Sequence, residues 1–232
     1  MKKHKILFLA ANPIGTDRLA LDREARAIQH ELERAGHRDS FEFETRWAVE
    51  PLDLLRELRK LKPTIVHFSG HGSRTAKAGP GTGQAPRRDA VLDDIDSSGP
   101  APGEPTGALY FQGPDGRAQI VSIAAITETF GAAGASVKLV VLNACYTDMQ
   151  AEALLAHVDC VVGMDGSIHD DAARHFAVGF YGGLGEREPV ERAYKQGRAA
   201  ISLEGLSDGN LPQLKVRTGV DASRLVLAAD PR

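Results

Sequence analysis

His71 and Cys145 are the two residues of this chain whose types and settings could do nucleophilic chemistry. His71 stands three residues past the apolar run Thr64 to Phe68, inside Ser69-Gly70-His71-Gly72. Cys145 stands three residues past the run Val137 to Leu142, in Asn143-Ala144-Cys145. Sulfur attacks as a thiolate, so a nucleophilic cysteine needs an imidazole to take its proton or a helix N-terminus close by. A helix expected near Met149 to Ala156 would offer the second, and His71 the first. Gly72 has no side chain to block its N–H, so together with the Cys145 N–H it could bind a developing oxyanion. On pattern alone, a buried core thiol and a turn histidine fit these residues too.

The pair can meet only if the chain brings the ends of two distant strands together. Reactive groups in open parallel sheets gather just beyond the carboxyl ends of the strands, and right-handed crossovers would set these two strands side by side. The pattern supports such a sheet. Lys5 to Ala11 reads as a buried first strand. Leu21, Ala25, Ile28, Leu32 and Ala35 recur at helical spacing, with Gly36 as the stop. Phe41, Phe43 and Thr45 alternate with Glu42 and Glu44, which predicts a half-exposed strand near a sheet edge. Pro51 opens a short helix carrying Leu55, Leu58 and Leu61.

After the strand at Thr64 to Phe68 the pattern collapses into a Gly/Pro-rich insertion at about 74–106. It begins basic (Arg74, Lys77, Arg87, Arg88) and turns acidic (Asp89, Asp93, Asp94, Asp96, Glu104). A stretch of this length without periodicity is expected to be a flexible insertion rather than a domain. Order returns in a hairpin, Ala108 to Phe111 and Gln119 to Val121, turned at Asp115-Gly116. A helix around Ser122 to Phe130, the strand ending at Leu142, the helix at Met149 and a fifth strand, Asp159 to Gly163, follow. A helix bearing Ala173, Phe176, Phe180 and Leu184, another from Pro189, and two apolar pieces at Leu214 to Val216 and Leu225 to Leu227 complete the chain. The fold class is α/β, in a single domain over 5–230.

Composition narrows the function. The 232 residues are 42% hydrophobic and 25% charged with a net charge of −3, a globular balance without the basic surplus of a nucleic-acid binder. No window supplies the ~18 continuous apolar residues of a membrane helix. Two cysteines, Cys145 and Cys160, are too few for a secreted disulfide framework. The expectation is a cytoplasmic protein with no nucleic-acid or membrane partner.

The segments ILFLAANP, IVHFSGHGS, LVVLNACYT and VVGMDGSIHDDAARHFAVGFYGGL together resemble the CHAT-domain branch of the caspase-like cysteine peptidases, from about Lys5 to about Glu204. The resemblance implies a mostly parallel sheet of about six strands flanked by helices on both faces. It implies a cysteine endopeptidase that needs no cofactor, with His71 as general acid/base, Cys145 as nucleophile, and Gly72 with Cys145 as oxyanion donors. The substrate would be a protein or peptide, and an upstream activating peptidase or sensor domain would control it, as in a bacterial proteolytic cascade such as antiphage defence. Many such enzymes line the first specificity pocket with the residue two before the nucleophile, here the neutral Asn143. Asp165 could supply a carboxylate for a basic side chain or merely open a turn with Gly166, and Asp148 is a weaker candidate. A catalytically silent CHAT-fold interaction module is the alternative.

Other signals carry less. His67 and His71 are four apart but on a strand, so they make no helical metal pair, and His67 is expected to be a core histidine. His169 and His175 are six apart, no CxxC completes a zinc set, and Cys160 reads as inert core. Asp94, Asp96, Ser98 and Gly99 open like a calcium loop, yet Pro105 stands where its twelfth-position Glu should be. No metal is expected. If basic residues are preferred, Arg87-Arg88 is a self-cleavage site.

Overall fold

The computed structural model describes residues 3–74 and 107–228. The expected insertion with its Arg87-Arg88 pair and its Asp94 and Asp96 loop therefore lies outside the described residues, apart from Arg74. Strands β1 (His4–Ala10), β2 (Phe41–Trp47), β3 (Ile65–Ser69), β7 (Leu139–Asn143), β8 (Cys160–Met164) and β9 (Pro212–Val216) form a six-stranded sheet in the order β2-β1-β3-β7-β8-β9. The first five run parallel, and β9 pairs antiparallel with β8. β1, β3, β7 and β8 are covered on both faces, which is why they read as unbroken apolar runs. β2 alternates because it is an edge.

Among the described residues, each face carries three α-helices. α1 (Leu21–Arg34), α5 (Asp170–Gly185) and α6 (Val190–Leu203) cover one, meeting Ile6, Phe8, Val141 and Val162 of the sheet. α2 (Pro51–Leu61), α3 (Ile123–Ala133) and α4 (Asp148–Leu154) cover the other, against Leu7, Leu9, Val66 and Val140. Burying each such Leu, Ile, Val or Phe contributes about 1.5–3 kcal/mol, so these two interfaces hold the sheet rigid beneath whatever sits at its ends. α1 buries the stripe Leu21, Ala25, Ile28 and Leu32. α2 starts at Pro51, where Glu50 and Asp53 satisfy each other's backbone N–H groups in a capping box. Ser122 caps α3 by accepting from the Ala125 N–H.

The hairpin forms at β5 (Ala108–Gln112) and β6 (Ala118–Ser122), with Gly116 at φ +79° in its turn. It stands apart from the main sheet. A two-residue strand, β4 (Gly72–Ser73), joins it as a third member by pairing antiparallel with β5. This small sheet places the residue after His71 in a fixed strand.

Candidate active site

The last rung between β3 and β7 pairs Ser69 with Asn143, and the Gly70 N–H reaches the Asn143 carbonyl at 3.3 Å. Both chains then leave the sheet at the same end. His71 lies two residues past Ser69, Cys145 two past Asn143, and both are half-buried. Their loops touch: a Cβ placed on Gly72 would lie 2.5 Å from the Cys145 carbonyl oxygen and 3.2 Å from Thr147 Cγ2. Only glycine permits that approach.

His71 is oriented from two sides. Its Nε2 sits 2.9 Å from the Asp17 carbonyl oxygen, in the loop before α1. A carbonyl only accepts, so Nε2 carries the hydrogen, and the basic nitrogen of the neutral ring is Nδ1. The Tyr110 N–H donates to the His71 carbonyl at 3.0 Å. Because Gly72 opposes Leu109 in this antiparallel ladder, the hydrogen-bonded pair is His71–Tyr110, and the Gly72 N–H is directed away from β5.

Cys145 occupies a tight strand-to-helix turn. Tyr146, next in the chain, has φ +57°, a left-handed conformation that costs a bulky residue and marks a constrained turn. Bonds from the Tyr146 N–H to the Gly166 carbonyl (2.9 Å) and from the Thr147 N–H to the Met164 carbonyl (2.8 Å) hold it. The buried Thr147 hydroxyl donates toward the Leu142 and Ala144 carbonyls and accepts from the Met164 N–H. The thiol Sγ lies 3.6 Å from Ser167 Oγ and 3.9 Å from the Ile168 carbonyl oxygen, both in the loop before α5. Among the described residues the Cys145 N–H has no acceptor. The helix that follows, α4, has only seven residues and carries Asp148 in its first turn, so it offers the thiol little positive field.

Beside the turn, Arg74, Tyr146, Asp148, Met149 and Asp165 line a cleft of about 300 Å³. Asp148 and Asp165 have no ion-pair partner among the described residues. The Arg74 guanidinium stands 4.5 Å over the Tyr146 ring. Asp165 and Gly166 form a bend, with Gly166 at φ +138°, and Asp165 is among the residues lining the cleft.

Asn143 is placed elsewhere. It is 5% exposed and is not among the residues lining the cleft. Strand alternation turns its side chain under α1 and α5, where Nδ2 donates to Glu24 Oε1 and toward the Ala173 carbonyl. His67 is fully buried, as expected of a core histidine. Its Nε2 donates to Glu24 at 2.9 Å and its Nδ1 is 3.0 Å from the Tyr181 hydroxyl. Ser69 donates to the other Glu24 oxygen. Burial alone would raise the Glu24 carboxyl, but the His67 imidazole and the hydrogen bonds from His67, Ser69 and Asn143 outweigh it and hold the group below its ordinary value. Tyr181 is pushed well above its ordinary value by burial and by Glu24. Sequence reasoning did not single out Glu24, although the signal was there: it lies three residues after Leu21 and four before Ile28, on the buried stripe of α1. Cys160 is wholly buried in β8, where burial and the charge of Asp159 push its thiol up to about 12. Among the described residues, no group of three or more His, Cys, Asp and Glu side chains is placed to hold a metal ion, and no helix is long and apolar enough to cross a membrane.

The mostly parallel six-stranded sheet with helices on both faces is a caspase-like α/β fold. The profile of the CHAT domain matches residues 13–205, and the chain belongs to that family. It is 25% identical over 213 residues to a Roc-COR-CHAT protease of an unknown prokaryotic organism, covering 88% of this chain and 17% of that protein. The chain thus spans about a sixth of that relative. Its fold matches the Drosophila initiator caspase Dronc with a TM-score of 0.57 at 11% identity, covering 97% of this chain and 83% of that one. It likewise matches a secreted C11 cysteine protease from Bacteroides thetaiotaomicron in complex with an irreversible peptide inhibitor, with a TM-score of 0.56 at 10% identity, covering 93% and 66% of the two chains.

Proposed function

We propose that this chain is a cysteine endopeptidase that cleaves a protein substrate after a basic residue through a His71–Cys145 dyad. The observation that carries the reading is the approach of the Gly72 backbone to the Cys145 carbonyl, which brings the imidazole-bearing and thiol-bearing loops together at one end of the sheet. His71 Nδ1 takes the thiol proton while Nε2 stays on the Asp17 carbonyl. Sγ adds to the scissile carbonyl, and the Gly72 and Cys145 N–H groups receive the oxyanion. His71 returns the proton to the leaving amine, leaving a thioester. Water, deprotonated by His71, then hydrolyses the thioester and frees Cys145.

The cleft beside the nucleophile supports the basic preference. Asp148 and Asp165 supply charge with no ion-pair partner among the described residues, and the Tyr146 ring carries the Arg74 guanidinium at cation–π distance. Asn143, with its amide committed to Glu24, supports the sheet beneath the site. The fused relative suggests control by other domains or by an upstream peptidase, in a bacterial proteolytic cascade such as antiphage defence. A peptidyl acyloxymethyl ketone with Lys or Arg at its first site tests the reading. It should label wild type and neither Cys145→Ala nor His71→Ala; equal labelling of wild type and His71→Ala would contradict the dyad.

A further inference from the structure

The two residues of the candidate dyad, and the groups named above that meet the His71 ring Nε2 and the Cys145 thiol, come from four segments. Asp17, which holds His71 Nε2, precedes α1. His71 follows β3, and Cys145 follows β7. Ser167 and Ile168, which touch the thiol, precede α5. All four elements send a residue into one buried cluster. α1 gives Glu24, β3 gives His67 and Ser69, β7 gives Asn143, and α5 gives the Tyr181 hydroxyl and the Ala173 carbonyl.

We propose that Glu24 is the positioning residue of the His71–Cys145 pair, a carboxylate hub that fixes the ends of β3 and β7 relative to α1 and α5. The proposal rests on the peptidase reading above. Two of the hub's donors, Ser69 and Asn143, are the final register partners of the two strands. One carboxylate therefore grips both strands at the last point before they diverge into the reactive loops. Apolar packing alone would tolerate small slippage, whereas directional bonds to a single buried group set distance and angle together. The Asn143 Oδ1 is buried with no hydrogen-bond partner among the described residues, so the hydrogen bonds that orient this amide come from its donor side. Replacing a buried polar cluster of this kind whole by apolar side chains is commonly neutral or stabilising, so what the cluster adds over apolar packing is geometry.

The test is a double-mutant cycle read on the thiol itself, without any substrate. The rate of Cys145 carbamidomethylation by iodoacetamide at pH 7, located by peptide mass spectrometry, is measured for wild type, Glu24→Gln, His71→Ala and the double variant. Gln matches Glu in shape, and thermal melts on the same samples establish folding. Glu24→Gln and His71→Ala should each slow alkylation about tenfold or more, and the double variant should be no slower than His71→Ala, because Glu24 acts through the pair. A Glu24→Gln rate equal to wild type would overturn the proposal while leaving the dyad standing, as would a double variant slowed by the product of the two single effects. A wild type no faster than His71→Ala would overturn the dyad and this proposal with it. If Glu24→Gln does not fold, Ser69→Ala takes its place in the cycle, with the same outcomes deciding.

Discussion

Ser69 and Asn143 face each other at the final rung of the two central strands, and both donate to the same Glu24 carboxylate. Two residues further along each strand stand His71 and Cys145. The proposed dyad therefore stands just beyond a matched pair of side chains inside the sheet, and its two loops approach each other closely at Gly72.

That contact makes Gly72 intolerant of any side chain. A methyl group 2.5 Å from the Cys145 carbonyl oxygen must push the nucleophile's loop away, and a displacement of about 1 Å costs roughly 100-fold in rate. Gly72→Ala should lose about that factor in kcat/KM on peptides while its circular dichroism stays native. Activity within twofold of wild type would show that the two loops do not need this approach.

Charge in the cleft should set the first-site preference. Asp165 is exposed, so Asp165→Asn is expected to change stability by no more than about 0.5 kcal/mol. The same change should lower kcat/KM for Lys and Arg peptides about 10-fold and leave neutral peptides unaffected, with Asp148→Asn adding to the loss. Steady-state kinetics on matched Arg and norleucine substrates measures the difference directly.

The two thiols should behave oppositely. Cys160 is wholly buried with its thiol pushed up to about 12, so it should resist alkylation in the folded protein at pH 8. Cys160→Ala should keep full activity, whereas Cys160→Ser should destabilise by about 1–3 kcal/mol through an unsatisfied buried hydroxyl. Mass spectrometry after mild alkylation, with and without denaturant, separates the two sites.

Acid should weaken the fold through Glu24. Its carboxyl is held below the ordinary 4.5, and a lowered folded value means that the stabilisation is fully present above the unfolded value. It is lost as pH falls through the folded one. Melting temperature should therefore drop as pH is lowered below about 4.5. Glu24→Gln should be less stable at pH 7 and show a shallower decline in acid. Some slope should persist, because Asp208, paired with His169, and Asp221, bonded to Ser223, are also held low.

Much of this architecture could be read from residue order. The buried runs at β1, β3, β7 and β8 marked central parallel strands because apolar side chains on both faces are what a doubly covered sheet requires, and the alternation in Phe41 to Thr45 marked the edge. The position of His71 and Cys145 past the ends of neighbouring strands was legible for the same reason, since each directly follows such a run. Gly72–Ser73 carries too few residues to show a period, so its pairing with β5 was not legible. The antiparallel direction of β9 was hidden too, since the side-chain alternation of a five-residue strand, here PQLKV, looks the same in either direction. Glu24 escaped notice because a charge on a helix ordinarily points to water, and its partners come from 43, 45 and 119 residues away. Asn143 was recognised by its distance from the nucleophile, but side-chain direction on a strand depends on register, and register carried it inward.

The most direct test of the whole account is a cleavage-site profile on a proteome-derived peptide library, run with wild type, Cys145→Ala and His71→Ala. Cuts after Lys or Arg that appear with wild type and vanish with both variants are the predicted result. A wild type that is folded and alkylated at Cys145 yet leaves the library intact, or cuts that persist in Cys145→Ala, would contradict it.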